Sequence, residues 1–402
     1  MKASESNAHY TGKVRECTNY SVRGIKNLFK NPDLETRQAC SDGEIEMQTF
    51  FQGELENFCD SVSTETFSTQ ISSHKITNTF VFVFMLLSAA SMVAANFLNE
   101  VILFASVGFS LLALASFFGL FAKFAKKKQS ANIVGTRKAL GVATNKIVFC
   151  ANTDAPFKRR FSAGLERLFV LLTLIGIVLQ LVYDVAVLGD TYYKMYELPV
   201  MQAMPVISYI LIVFVPLPLL ASFAVNTHSA TPGVANNLSG CFSCLGAMRY
   251  LSEFDLKLDN TDICVVLTGA KNAKNAGAKA YVKAHAEEDK KLNTLFVCVD
   301  TLKGINSLSV QSGNAKGQKL VKAAADNANV TLAQGNAKFL KSDASVFSKA
   351  GISSATVTTL GSAQPDFYQT DLDNVDNIDI KSTEAAINIL LESAYLLDEK
   401  SK

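Results

Sequence analysis

The chain has 402 residues, 49% of them hydrophobic, a mean hydropathy of +0.20 and a formal net charge of +2. That length admits two domains or one large one, and that hydropathy excludes an ordinary soluble enzyme. A balance so close to neutral also argues against a nucleic-acid partner.

From the N-terminus, MKASESNAHYTGK is polar, and the first apolar run lies far downstream, so a cleaved signal peptide is not expected. Residues 1–75 read as a helical or extended segment, with a helix start at SDGE, where Ser41 caps and Glu44 reaches back as a capping box. Ile45, Phe50, Phe51, Leu55 and Phe58 give that helix an apolar stripe.

Four apolar runs follow: Thr79 to Leu98, Val101 to Phe121, Leu168 to Leu188 and Val206 to Val225. Each is close to the length needed to cross about 30 Å of hydrocarbon. Only Asp184 within them is charged; it lies near one end of its run, where an acid snorkels or pairs with a neighbouring helix. Four transmembrane helices in two hairpins are expected, the first joined by Asn99 and Glu100, with Pro216 and Pro218 allowing a kink in the last. An even number of crossings leaves both termini on one side. The flanks on that side carry Lys123, Lys126, Lys127, Lys128, Arg137, Lys138, Lys158, Arg159, Arg160 and Arg167, against Lys194 opposite, so the side is cytoplasmic. The same basic cluster suits anionic lipid head groups. The eight cysteines fit a reducing compartment, because they form no short secreted framework. Cys241 and Cys244 form a lone C-x-x-C with no second pair, which reads as packing rather than as a metal site.

Between the hairpins, residues 129–163 hold one expected strand, Lys146 to Cys150. After them, strands ICVVL, LFVCV and ATVTTL alternate with helices expected over about 238–251, from about 277, over 319–326 and over 382–397. This pattern predicts an α/β fold with a mostly parallel, doubly wound sheet interrupted by membrane helices. The expected division is 1–75, then hairpin 76–125, a first piece of the α/β domain over 126–163, hairpin 164–228, and the main piece over 229–402.

Sites in such sheets gather where strands end. The polar stretches there are ANTDAPF, PGVANNLSG, TGAKNAKNAG, DTLKG, SDASVFSKAGI and DFYQTDLDNVDNID. Their order and spacing resemble the di-zinc aminopeptidases of the bacterial leucyl aminopeptidase type, peptidase family M28, and a membrane branch of it with helices inserted between the first two motifs. The resemblance spans about residues 20–395 and implies a zinc-exopeptidase fold. The family's H-x-D reads Asn152-Thr153-Asp154 here, and its D-N-x-S-G reads Asn236-Asn237-Leu238-Ser239-Gly240. Its Glu-Glu pair reads Lys271-Asn272, followed by Gly277, Ala280 and Tyr281. Asp300 keeps the Asp after the next strand, Asp343 falls in a matching segment, and Y-H-T reads Tyr368-Gln369-Thr370 ahead of Asp373.

Carried over position by position, the resemblance implies that Asn152, Asn236, Asn272 and Gln369 replace zinc ligands, that Lys271 replaces the general base, and that Asp300 alone is retained as a ligand. Asp154, Ser239, Gly240, Gly277, Asp343, Tyr368 and Asp373 are retained supporting positions. Neutral amides are poor zinc donors beside carboxylate or imidazole. An ammonium at 271 facing Asp300 takes the place of lost positive charge, unless Lys271 simply extends into solvent. The histidines His9, His74, His228 and His285 lie outside the motifs, although His228 stands close upstream of PGVANNLSG.

Three function classes stay open on the sequence. One is a pseudopeptidase anchored in the bilayer, with no cofactor, whose altered pocket binds a peptide or a membrane-protein partner. Another is a metallo-aminopeptidase with residual activity that keeps zinc. The last is a transport-associated role for the apolar helices.

Overall fold

The computed structural model describes residues 3–30, 37–71, 73–97, 101–193 and 203–399. The chain divides into two compact units, one of Met1–Thr69, Lys128–Lys158 and Thr227–Lys402, the other of Gln70–Lys127 and Arg159–Asn226.

The first unit is built on a mixed sheet. Its strands, in chain order, are β1 (Ser61–Thr69), β2 (Lys128–Arg137) and β3 (Asn145–Asn152), then β6 (Thr261–Thr268), β7 (Asn293–Val299), β8 (Ser309–Gln311) and β9 (Ser353–Thr358); β4 (Phe157–Arg159) and β5 (Val225–Ala230) pair separately. The spatial order is β1-β2-β6-β3-β7-β9-β8. β6, β3, β7 and β9 run parallel, β2 and β8 run antiparallel to them, and β1 pairs antiparallel with β2. The parallel centre is apolar on both faces, as a doubly covered sheet requires. Ile147 and Phe149 of β3, Val265 of β6 and Val297 of β7 join the larger core, whereas Val148, Cys150, Val266 and Phe296 pack into a second cluster with Tyr281 and Phe347 on the opposite face.

The sequence expectation of one strand in 129–163 is corrected to β2 and β3 with the short β4, and β1 was not foreseen within 1–75. Both missed strands are polar, and SVSTETFST alternates half-buried and exposed residues. An edge strand covered on one face lacks the continuous apolar run that marks the centre. The helix Ala3–Leu28 was likewise unforeseen; it buries Val14, Cys17, Val22 and Ile25 at helical spacing within an otherwise polar stretch.

Among the described residues, the second unit holds three helices long and apolar enough to cross a membrane, His74–Ala95, Gly164–Asp190 and Met204–Phe223. The run expected over 101–121 forms the helix Ile102–Phe117, whose 16 residues rise about 24 Å. Pro216 and Pro218 break the last run into helix Met204–Leu211, a tight turn at Ile212–Phe214 and helix Leu217–Phe223, because proline lacks the amide hydrogen and clashes with the preceding turn. The expected hairpin turn at Asn99 and Glu100, and Lys194, lie outside the described residues.

Candidate functional site

The carboxyl ends of three neighbouring parallel strands, β6, β3 and β7, deliver the loops that carry Lys271 and Asn272, Asn152 to Asp154, and Asp300. A side chain just past such a strand end is aimed into the crevice beyond the sheet.

Asp154, fully buried, organises the group. Its Oδ1 accepts the backbone N–H of Lys271 at 3.0 Å and Nδ2 of Asn152 at 3.2 Å. Its Oδ2 accepts the N–H of Asn272 at 2.9 Å and that residue's Nδ2 at 2.7 Å. The amide nitrogens of Asn152 and Asn272 are thereby committed to a carboxylate. Asn152 Oδ1 in turn accepts Asn237 Nδ2 at 3.0 Å and Lys271 Nζ at 3.2 Å.

Lys271 lies at the centre. Its ammonium forms an ion pair with Asp300, and its side chain is 13% exposed against 4% for Asp300, so it does not extend into solvent. Burial alone would lower the Lys271 pKa, but the Asp300 and Asp343 carboxylates outweigh it and hold the amine above the ordinary lysine range. Asp300 also accepts Thr301 Oγ1 at 2.8 Å. Asp343 accepts Thr268 Oγ1 at 2.7 Å through Oδ2 and leaves Oδ1 without a partner; burial pushes its carboxyl up to about 6, against the pull of Lys271. The negative charge facing Lys271 is therefore larger than Asp300 alone, because Asp343 contributes too.

The supporting positions do local work. Asp373 accepts the N–H groups of Ala235 at 2.6 Å and Asn236 at 3.0 Å, and burial raises its carboxyl to about 6. Ser239 Oγ donates to Ala235 O at 2.8 Å, within the turn entering the helix Ser239–Glu253. A Cβ on Gly240 would stand 2.2 Å from Asn237 Oδ1, and Asn237 is held by Asn152 and by Val299 O. Tyr368 packs on Phe339 at 5.3 Å, and Gln369 follows it with φ of 61°, a left-handed backbone.

Gly277 is where the helix Ala276–Lys291 meets the loop. An added Cβ would lie 2.3 Å from Gly269 O and 2.5 Å from Asn132 Oδ1. Gly277→Ala should therefore cost roughly 1–3 kcal/mol through overpacking and lower the melting temperature read by circular dichroism; an unchanged melt would show that the loop yields freely.

Glu44 was placed by the sequence only as a capping residue. Ser41 does cap, accepting the Glu44 N–H at 3.3 Å, but the Glu44 carboxylate reaches Cys40 N at 2.6 Å, Ser130 Oγ at 2.9 Å and Ala270 N at 2.7 Å, and so braces the Lys271 loop from below. Burial and the nearby Asp154 charge raise its pKa. A Glu at the third helical position predicts a local role, and only the fold brings residue 270 to it. Cys241 is buried and donates Sγ–H to Asn152 O at 3.0 Å; Cys241 and Cys244 are free thiols. His285 pairs with Glu65 of β1 at 2.7 Å, and the side chains of His9 and His228 lie outside the described residues.

These donors do not fit a zinc pair. The two amides spend their nitrogens on Asp154, the Asn152 oxygen is taken by Asn237 and Lys271, and the cation beside Asp300 is an ammonium. Among the described residues, no three His, Cys, Asp or Glu side chains are grouped to hold a metal ion.

Residues 222–394 match the family model of Peptidase family M28. A search of the curated proteins finds no match. Among solved structures, the LapA aminopeptidase of Legionella pneumophila superposes with TM-score 0.55 at 11% identity, covering 99% of this chain and 74% of that one. The zinc aminopeptidase BSAP of Bacillus subtilis gives 0.54 at 13% identity over 94% of each chain. A glutaminyl cyclase of Fimbriiglobus ruber gives 0.55 at 9% identity, covering 94% of this chain and 95% of that one. At these identities the likeness is one of fold, that of the zinc exopeptidases.

Proposed function

We propose that this chain, whose residues 222–394 match the family model of Peptidase family M28, is a membrane-anchored pseudopeptidase, a binding or scaffold module that does not hydrolyse peptides. The observation that carries the reading is the Lys271 ammonium seated between Asp300 and the Asn152 carboxamide oxygen, where the two-metal aminopeptidase pattern calls for a general base beside zinc ligands. A base must accept a proton from water, and an amine held above its ordinary pKa by buried carboxylates keeps its own. Amide oxygens already accepting hydrogen bonds are weak donors to a divalent ion.

The retained turn residues support continued use of the crevice as a binding surface. Asp154, Asp373 and Glu44 satisfy backbone N–H groups of the loops around it, which holds those loops in shape without a metal. A peptide or the terminus of another membrane protein is the partner class that such a crevice suits. Apolar helices long enough to cross a bilayer support an anchoring role, and the basic cluster from Lys123 to Lys128 favours a cytoplasmic peptidase-like unit.

Elemental mass spectrometry on detergent-purified protein, after incubation with excess zinc and a wash, tests the reading directly. Zinc near zero per chain, together with no release from aminoacyl p-nitroanilides, is the expected result. One or two tightly held zinc ions with turnover would establish a working metallo-aminopeptidase instead.

A further inference from the structure

The helical unit buries a carboxylate and provides no cation for it. Asp184, on the helix Ala163–Tyr193, is fully buried, and among the described residues it has no Lys, Arg or His partner. Its Oδ1 accepts Ser106 Oγ at 2.7 Å and its Oδ2 accepts Ser110 Oγ at 3.2 Å, both from the helix Ile102–Phe117. Ser88, on the helix Ser73–Ala95, closes a ring, with its Oγ 2.7 Å from Ser110 Oγ and 3.1 Å from Ser106 Oγ; Ser106 Oγ also reaches Ser88 O at 3.2 Å. One turn before Asp184, Gln180 is fully buried, donates Nε2 to Met85 O at 3.4 Å and leaves Oε1 without a partner. Asp184 and Gln180 thus face the same strip of the helix that carries Met85 and Ser88.

An ionised carboxylate in such surroundings needs a counter-charge, and none of the packed helices supplies one. The helix Ile102–Phe117 and the segment Met204–Phe223 carry no Asp, Glu, Lys, Arg or His, and the helix Ser73–Ala95 carries only His74 and Lys75, at its start. The remaining titratable side chains on these elements are Glu166, Arg167, Tyr183, Asp190, Tyr192 and Tyr193 on the helix of Asp184, and Tyr209. With the carboxylate bare, Ser106 and Ser110 donate to its two oxygens and Ser88 donates within the ring. The same contacts accept one added proton: Asp184 Oδ1 then donates to Ser106, Ser106 to Ser88 O, Ser88 to Ser110, and Ser110 to Asp184 Oδ2.

We propose that Asp184, Ser88, Ser106 and Ser110 form a binding site for a small monovalent cation, a proton or sodium, within the helical unit. All the donors are hard oxygens, and the orphaned Gln180 Oε1 is one more. The present oxygen separations, 2.7 to 3.2 Å, suit a proton as they stand. A metal ion with oxygens at about 2.3–2.6 Å would require them to spread by a few tenths of an ångström.

The test uses the full-length protein in detergent, with choline replacing sodium, and compares thermal melting by circular dichroism in wild type and Asp184→Asn. A rise of a few degrees on adding sodium chloride at fixed pH, absent with choline chloride and absent in the variant, supports the site with sodium as occupant. A rise on mild acidification in the wild type beyond that of the variant, with no sodium effect, supports it with the proton as occupant. Equal responses of both proteins to sodium and to pH overturn the proposal. If Asp184→Asn does not fold, Ser110→Ala keeps the carboxylate and removes one oxygen; it should shift the sodium or proton midpoint about tenfold, and an unshifted midpoint overturns the proposal in the same way.

Discussion

Lys271→Met should lower the melting temperature by about 10 °C, the largest single-site loss expected in the peptidase-like unit. Removing the ammonium leaves Asp300 buried beside Asp343 with no positive charge, and breaking one side of a buried pair costs roughly 3–5 kcal/mol. In a unit of this size each kcal/mol corresponds to about 2–4 °C. Adding Asp300→Asn should restore most of the loss, because the isosteric amide still accepts from Thr301 and no longer carries a charge. Melting of the two single variants and the double variant reads this as a coupling. A Lys271→Met protein that melts with the wild type would remove the ion pair from the account of the site and leave the crevice open for a metal.

Stability should also fall as pH rises from about 4 to about 6, and Asp343 should be a principal cause. Burial lifts both Asp343 and Asp373 from the ordinary carboxylate range near 3.8 to about 6. The folded chain then holds protons in that window that the unfolded chain has released, so the stabilising contribution of the protonated acids is complete below about pH 4 and is lost as pH rises through 6. Asp343→Asn removes one of the two groups, and Thr268 can still donate to the amide oxygen. The variant should match the wild type near pH 4 and exceed it by about 2–3 kcal/mol at neutral pH, from about 1.4 kcal/mol per pKa unit. A difference that stays flat with pH would place the ionised Asp343 in better company than its unpartnered Oδ1 shows.

Both effects depend on residues that the sequence marked by position but could not bring together. The loop after ICVVL, the Asp ending LFVCV and the Asn after KIVFC are legible as strand-end residues, since a buried parallel strand is a short apolar run that stops at polar residues. That these three loops adjoin follows only from the strand order β6-β3-β7, which pairs segments more than one hundred residues apart, with the segment Arg159–Asn226 of the helical unit lying between β3 and β6 in the chain.

The sequence by itself determined the α/β class, the parallel centre of the sheet, the apolar character of the second unit and the amide and ammonium chemistry at the motif positions, because each is carried by residue type and local period. Tertiary structure alone decided the rest. The polar strands β1, at the sheet edge, and β2, beside it, exist because neighbours complete their hydrogen bonds, not because their side chains demand it. Glu44 became a brace for residue 270, and Asp184 gained a ring of three serines, because folding placed distant donors within 3.3 Å of each carboxylate. The hydrogen bonding of a buried polar group is set by whatever the fold brings within reach of it, which local sequence does not encode.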